Sequence, residues 1–166
     1  MKKYVDFDGV IFDSEIWLFD EEYRNLNIKN EFDKIKYIQN KNWDEILMKS
    51  EIINDAINIL KELRDVVILT KIHSMENEGV AKIKLLRSLE IKNEIILSPY
   101  TLKKSEVVDP RGNILIDDTI HNLDDWKQYG GIPIYFNKNN CDVDGWGNVN
   151  KNYTKVNSLD YLKYMR

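Results

Sequence analysis

Five short apolar runs punctuate the chain, at Tyr4–Phe7, Val66–Leu69, Ile95–Leu97, Ile114–Ile116 and Ile132–Phe136. They are rich in β-branched residues and each is closed by polar or turn residues, the pattern of a strand. Runs this continuous predict strands covered on both faces, as in a parallel sheet under helices. Helical spacing fills the intervals between them. Ile57, Leu60 and Leu63 share one face, as do Val80, Ile83, Leu86 and Leu89, and Ile120 to Tyr129 is closed by Gly130-Gly131. Strands alternating with helices predict an α/β fold, an open parallel sheet with helices on both faces. Pro133 cannot donate to a ladder, which places the run Ile132–Phe136 at an edge of the sheet. From Ser14 to about Asn54 the alternation breaks into a long polar and aromatic segment that reads as two or three helices. The predicted organisation is a core of residues 1–13 and 55–166, with residues 14–54 as a small helical cap inserted after the first strand. An Asn-rich irregular stretch, Asn137–Asn152, precedes a predicted final helix from Ser158 to Tyr164.

Composition narrows the classes. With 166 residues the chain suits one domain with room for a small lid, and no internal repeat or Gly/Ser linker divides it. One cysteine, Cys141, rules out an internal disulfide and suits a reducing compartment. Twenty-eight acids against 24 bases leave a net charge of −4, a poor balance for wrapping polymeric nucleic acid. A small phosphate remains accessible if positive charge gathers at one spot. No apolar run approaches the roughly 20 residues of a membrane crossing. Met1-Lys2-Lys3 is followed at once by Asp6 and Asp8, without a signal peptide's apolar stretch, so the expected location is the cytoplasm.

The chemistry gathers at the ends of predicted strands. Asp6-Phe7-Asp8-Gly9-Val10 follows the first, and alternation sends both carboxylates the same way while Gly9 permits a tight turn. Such close carboxylates repel unless a cation or a shared proton compensates. Thr70 ends the second strand, Lys103-Lys104 follow the third, and Asp117-Asp118 end the fourth. In a parallel sheet these ends line one crevice. Carboxylates for Mg²⁺, with lysine and hydroxyl donors for a phosphoryl group, are the parts of a phosphoryl-transfer site.

This ordered set resembles the haloacid dehalogenase-like phosphohydrolase superfamily, over Met1 to about Phe136. Leu115-Ile116-Asp117-Asp118-Thr119, Asn122-Leu123, Trp126 and Gly130-Gly131-Ile132 look more narrowly like its 5′-nucleotidase branch, which includes the deoxyribonucleotidases. The resemblance implies Asp6 as nucleophile and Asp8 as general acid and then base. It implies Mg²⁺ on the Asp6 carboxylate, the Asp8 backbone carbonyl and Asp118, with Asp117 in support. Thr70 and the backbone N–H of Lys71 would hold phosphate. Lys104 is preferred over Lys103 as the charge-balancing lysine, because Lys104-Ser105-Glu106 matches the narrower branch better. The expected activity is Mg²⁺-dependent hydrolysis of a small phosphomonoester, foremost a nucleoside 5′-monophosphate. The alternatives are a sugar-phosphate or phosphoglycolate-type phosphatase, a phosphatase of polynucleotide ends, and a non-catalytic phosphate-ligand binding protein.

Other residues are read against plainer roles. Trp17, Phe19, Tyr23 and Trp43 could line a substrate pocket or simply form the core of the insert. Asp13 suits helix entry or a hinge. Asp142-Val143-Asp144-Gly145 repeats the first motif's spacing but follows polar residues that cannot make a buried strand, so it is expected to aim nowhere. His73 and His121 lack partners at metal-binding spacing, and Cys141 has no activating neighbour. A lid this small leaves the crevice open unless another subunit closes it, which permits a homo-oligomer.

Overall fold

The computed structural model describes residues 1–165. The strands β1 (Lys3–Val5), β2 (Val66–Ile72), β3 (Ile95–Pro99), β4 (Ile114–Asp117), β5 (Ile132–Phe136) and β6 (Thr154–Val156) form one sheet in the order β3-β2-β1-β4-β5-β6. Every pairing is parallel. Central β1 sets Tyr4 beside Val67 on one side and Leu115 on the other. Side-chain alternation then sorts the apolar runs into two layers. Val5, Ile68, Ile114, Ile116, Ile134 and Phe136 face one core, shared with Ile57 and Leu60 of α5 (Ala56–Glu62) and Leu86 of α6 (Val80–Ser88). Tyr4, Val67, Leu69, Leu115 and Tyr135 face the other, under Ile120, Leu123 and Trp126 of α8 (Ile120–Gln128). The expected α/β architecture is the observed one.

The inserted segment carries four helices rather than two or three: α1 (Glu15–Leu18), α2 (Glu21–Asn25), α3 (Glu31–Asn40) and α4 (Trp43–Lys49). Asp20, Asn30 and Asn42 cap the last three through their side chains, each accepting from a backbone N–H three residues on. Leu18, Ile38, Trp43, Ile46 and Leu47 are buried and join the same apolar core as the sheet's inner face.

Two expectations about the C-terminal third need correction. β5 is not an edge strand, since β6 pairs outside it from Ile134 onward. Pro133 is tolerated because Ile132 N–H donates to Asn113 O on the β4 side. The next nitrogen therefore points the other way, where the β6 ladder has not begun. β6 was invisible in the sequence because Thr154-Lys155-Val156 carries no apolar run. The final helix is one short 3₁₀ stretch, Leu159–Tyr164. Among the described residues no helix is long and apolar enough to cross a membrane.

Candidate active site

The chain turns sharply where β1 ends. Asp6 N–H still bonds Ile116 O (2.9 Å), then Ile11 and Phe12 N–H fold back onto Phe7 O (2.9 and 3.1 Å). Gly9 holds φ +73°, and a Cβ there would lie 2.0 Å from Asp118 Oδ2. Glycine is thus required both for the left-handed turn and for the approach of the β4 end. Buried Val5, Phe7, Val10, Ile11 and Phe12 anchor the turn, so the two aspartates between them cannot drift.

Lys104 opens the short helix α7 (Lys104–Val107), whose start is set by Lys103 N–H donating to Glu106 (2.7 Å). That turn sends Lys104 inward, 2.9 Å from Asp6 Oδ1 and 2.7 Å from Asp117 Oδ2, while Lys103 stays outside and pairs with Asp125. Asp117 is fully buried and also accepts from Thr119 N–H (2.9 Å) and Asn122 Nδ2 (3.1 Å). It is saturated with donors.

Asp118 is not. Among the described residues its carboxylate has no hydrogen-bond donor, and one carboxylate oxygen from each of Asp6, Asp117 and Asp118 lies within 4.8 Å of the others. Burial, Glu15 and Asp117 push Asp118 well above the usual carboxylate range. Asp6 is pushed up to about 7 by burial, against the pull of Lys104 and with Asp117 and Asp8 adding repulsion. Glu15, at the start of α1, is pushed up to about 7 by burial and by Asp8 and Asp6. Three carboxylates sharing one ammonium, Lys104, leave negative charge in excess, and their hard oxygen donors fit a divalent cation, whose charge would relieve this repulsion.

Asp8 sits in a second network that the sequence reading missed. Its carboxylate accepts from Ser14 Oγ and, at 2.6 Å, from Lys82 Nζ. Lys82 is fully buried and also reaches Glu78 Oε1 (2.7 Å), Thr70 Oγ1 and Lys71 O (both 3.1 Å). Burial alone would depress this ammonium, but Asp8 and Glu78 outweigh it and hold the ammonium above its ordinary value. Glu78 in turn takes His73 N–H (2.7 Å) and lies 3.2 Å from His73 Nδ1. The i,i+4 spacing of Glu78 and Lys82 was the available signal, hidden within an apparently amphipathic helix.

A cavity of about 440 Å³ opens above these groups. Of the sequence candidates, Asp6, Asp8, Lys71, Asp118, Phe19 and Trp43 line it. Thr70 is buried beside Lys82 instead of facing the space. Trp43 Nε1 donates to Ile38 O (3.0 Å), and Tyr23 packs edge-on against Phe19. Trp17 borders a separate groove with Asp20 and Lys49, and Asp13 pairs with Lys138.

Asp144 corrects an expectation. It is buried and accepts from Ile120 N–H at the start of α8 (3.1 Å) and from Asn148 N–H (2.8 Å), so the Asn-rich loop is tied to the core. That tie carries Trp146 and Asn148 to the cavity wall, where Lys34 Nζ of α3 lies 4.1 Å from the Trp146 ring centre. His73 and His121 also line the cavity.

Solved structures share this fold along nearly the whole chain. A D,D-heptose 1,7-bisphosphate phosphatase from Burkholderia thailandensis matches with TM-score 0.55 at 15% identity, over 98% of this chain and 99% of its own. A HAD-superfamily hydrolase from Ehrlichia chaffeensis gives 0.58 at 14%, over 98% and 93%. The fold is that of the haloacid dehalogenase-like hydrolases. A further HAD-fold neighbour, the D,D-heptose 1,7-bisphosphate phosphatase from B. bronchiseptica complexed with magnesium and phosphate, gives 0.55 at 13%, over 98% and 96%. No protein-family model matches the sequence, and no curated protein does.

Proposed function

We propose that the protein is a Mg²⁺-dependent phosphatase of small phosphomonoesters that works through an aspartyl-phosphate. The observation that carries this reading is the meeting of Asp6, Lys104, Asp117 and Asp118, with Asp6 and Asp118 lining the cavity and Lys104 and Asp117 buried behind them. Asp6 and Asp118 would hold the metal, with the Asp8 carbonyl as a further ligand and Asp117 in support. The metal would supply Lewis-acid polarisation of the phosphoryl oxygens and screen the anionic nucleophile from the anionic substrate. Asp6 attacks phosphorus while the departing alcohol takes a proton from Asp8. Asp8 then removes a proton from water, which hydrolyses the acyl phosphate, restores Asp6 and releases inorganic phosphate. Lys104 holds Asp6 in place and offsets charge on the phosphoryl group. Lys71 adds an N–H and a cation at the wall, with Thr70 buried behind it.

For the leaving group two readings have support. A nucleoside 5′-monophosphate is favoured by the likeness of the Leu115–Ile132 segment to the 5′-nucleotidase branch and by the Phe19 and Trp146 rings at the cavity. A sugar phosphate is favoured by the heptose bisphosphate phosphatases among the structural neighbours. We further propose that residues 14–54 act as the cap over this site and that the protein works in the cytoplasm. The test is phosphate release from nucleotides, sugar phosphates and phosphorylated acids, with and without Mg²⁺. Asp6→Asn should abolish release and leave the fold intact. Retention of most of the rate by that variant would disqualify Asp6 as nucleophile.

A further inference from the structure

His73 stands just beyond the end of β2, on the wall of the same cavity. Three contacts fix it. Its N–H donates to Glu78 Oε2 (2.7 Å), its carbonyl accepts from Gln39 Nε2 of α3 (2.9 Å), and its ring stacks on Tyr100 with centroids 5.6 Å apart and planes 10° from parallel. The Glu78 carboxylate lies 3.2 Å from Nδ1 and is itself buried at 1% exposure, balanced by Lys82. A carboxylate acceptor beside Nδ1 assigns the proton of the neutral ring to that nitrogen. Nε2, on the opposite edge, is left as an acceptor, and among the described residues it has no partner. A buried carboxylate orienting a ring whose far nitrogen is uncommitted is how a structure prepares an imidazole for contact with something else.

We propose that His73 contacts the leaving group, its Nε2 accepting a hydrogen bond from a hydroxyl of the departing alcohol. The substrate class is then a phosphomonoester of a hydroxylated alcohol. This rests on the phosphatase reading and deepens it. Phosphate itself offers Nε2 only acceptor oxygens when fully ionised, so the contact belongs to the alcohol. Polyols, sugars and nucleosides meet the requirement; an unsubstituted aryl or alkyl group does not.

The experiment reads the imidazoles directly. The chain has two histidines, so ring-nitrogen NMR spectra are assigned with a single His121→Gln variant. Asp6→Asn protein, which blocks the covalent step, is titrated with glucose 6-phosphate, ribose 5-phosphate, AMP, phenyl phosphate and inorganic phosphate. The expected result is a shift of His73 Nε2 with at least one hydroxylated ester and none with phenyl phosphate or phosphate. No movement with any hydroxylated ester, or equal movement with phenyl phosphate, overturns the proposal. In the catalytic protein, His73→Ala should lower the ratio of kcat/KM for the preferred hydroxylated ester over phenyl phosphate by about 3–10-fold, the range of one neutral hydrogen bond. An unchanged ratio also overturns it. Failure of the phosphatase reading shows separately, as absence of Mg²⁺-dependent phosphate release by the wild-type protein.

Discussion

Replacing Lys82 with Met tests the buried charge network most severely. The ammonium is fully buried, contacts two carboxylates at 2.6 and 2.7 Å, and lies 5.1 and 5.2 Å from the Phe7 and Trp43 ring centres. Methionine approximates the stem's volume, so the packing of Phe7 and Trp43 is largely kept. What is lost is the cation. Glu78 is then buried with a negative charge supported only by His73, and Asp8 keeps only Ser14. Removing one member of a buried pair costs about 3–5 kcal/mol, because the remaining ion stays desolvated. That is a large share of the ~5–15 kcal/mol by which a domain this size is folded. With a urea m-value of about 2 kcal/mol/M, the midpoint should fall by roughly 2 M. The loss should shrink at acid pH. In wild type, burial raises Glu78 but Lys82 and His73 outweigh it and hold it below its ordinary range. That stabilisation is present above the unfolded value of about 4.3 and lost as pH falls through the lower folded value. In Lys82→Met the lowering charge is gone, so Glu78 protonates more easily and the deficit narrows with acid. The double variant Lys82→Met/Glu78→Gln should recover part of the stability, since no buried unpaired ion then remains at position 78. A single-variant midpoint shift below ~0.5 M, or one independent of pH, would refute the reasoning.

Two other outcomes follow from the carboxylate cluster. Asp6 and Glu15 have folded values raised to about 7, so the folded state binds more protons than the unfolded between about pH 4 and 7. Thermal stability of the metal-free protein should therefore fall as pH rises through that window, and Mg²⁺ should flatten the slope; a metal-free melting temperature that rises across the window would contradict this. Gly9→Ala must adopt φ +73° and place its Cβ 2.0 Å from Asp118 Oδ2, which should cost about 1–2 kcal/mol in backbone strain alone. It should also displace Asp118 and weaken the thermal shift produced by Mg²⁺, and an undiminished shift would show that Asp118 does not hold the ion.

The legible part of the fold lay in long, patterned segments. The apolar runs announced five of the six strands because the central strands β1, β2 and β4 lie buried between helices and even the half-buried edge strand β3 packs its isoleucines against both cores. Tyr4-Val5 in the centre of the sheet is the clearest instance. Thr154-Lys155-Val156 escaped because its strand character comes from the neighbouring β5 backbone and not from its own side chains. Pro133 misled for a related reason. A proline reports one missing donor, not the side of the strand on which the donor is missing. At the site, Asp6, Asp8, the pair Lys103-Lys104, Asp117 and Asp118 were readable from their positions at strand ends. Lys82, Glu78, Asp144 and Trp146 were not. A lysine within a helix reads as solvent-facing until something buried is found beside it. Asp144 gains its role only because the loop returns to the start of α8.

The one-dimensional pattern thus determined the parallel α/β architecture and the identity of the acids at its strand ends, because strand burial and turn chemistry are local properties of the chain. Which lysine meets Asp6, which carboxylate is left without a donor, and which ring nitrogen of His73 lies beside Glu78 were decided only in three dimensions. These depend on contacts between segments far apart in sequence, such as Asp8 with Lys82 and Lys104 with Asp6, and the cost of burying a charge has no value until its neighbours are known.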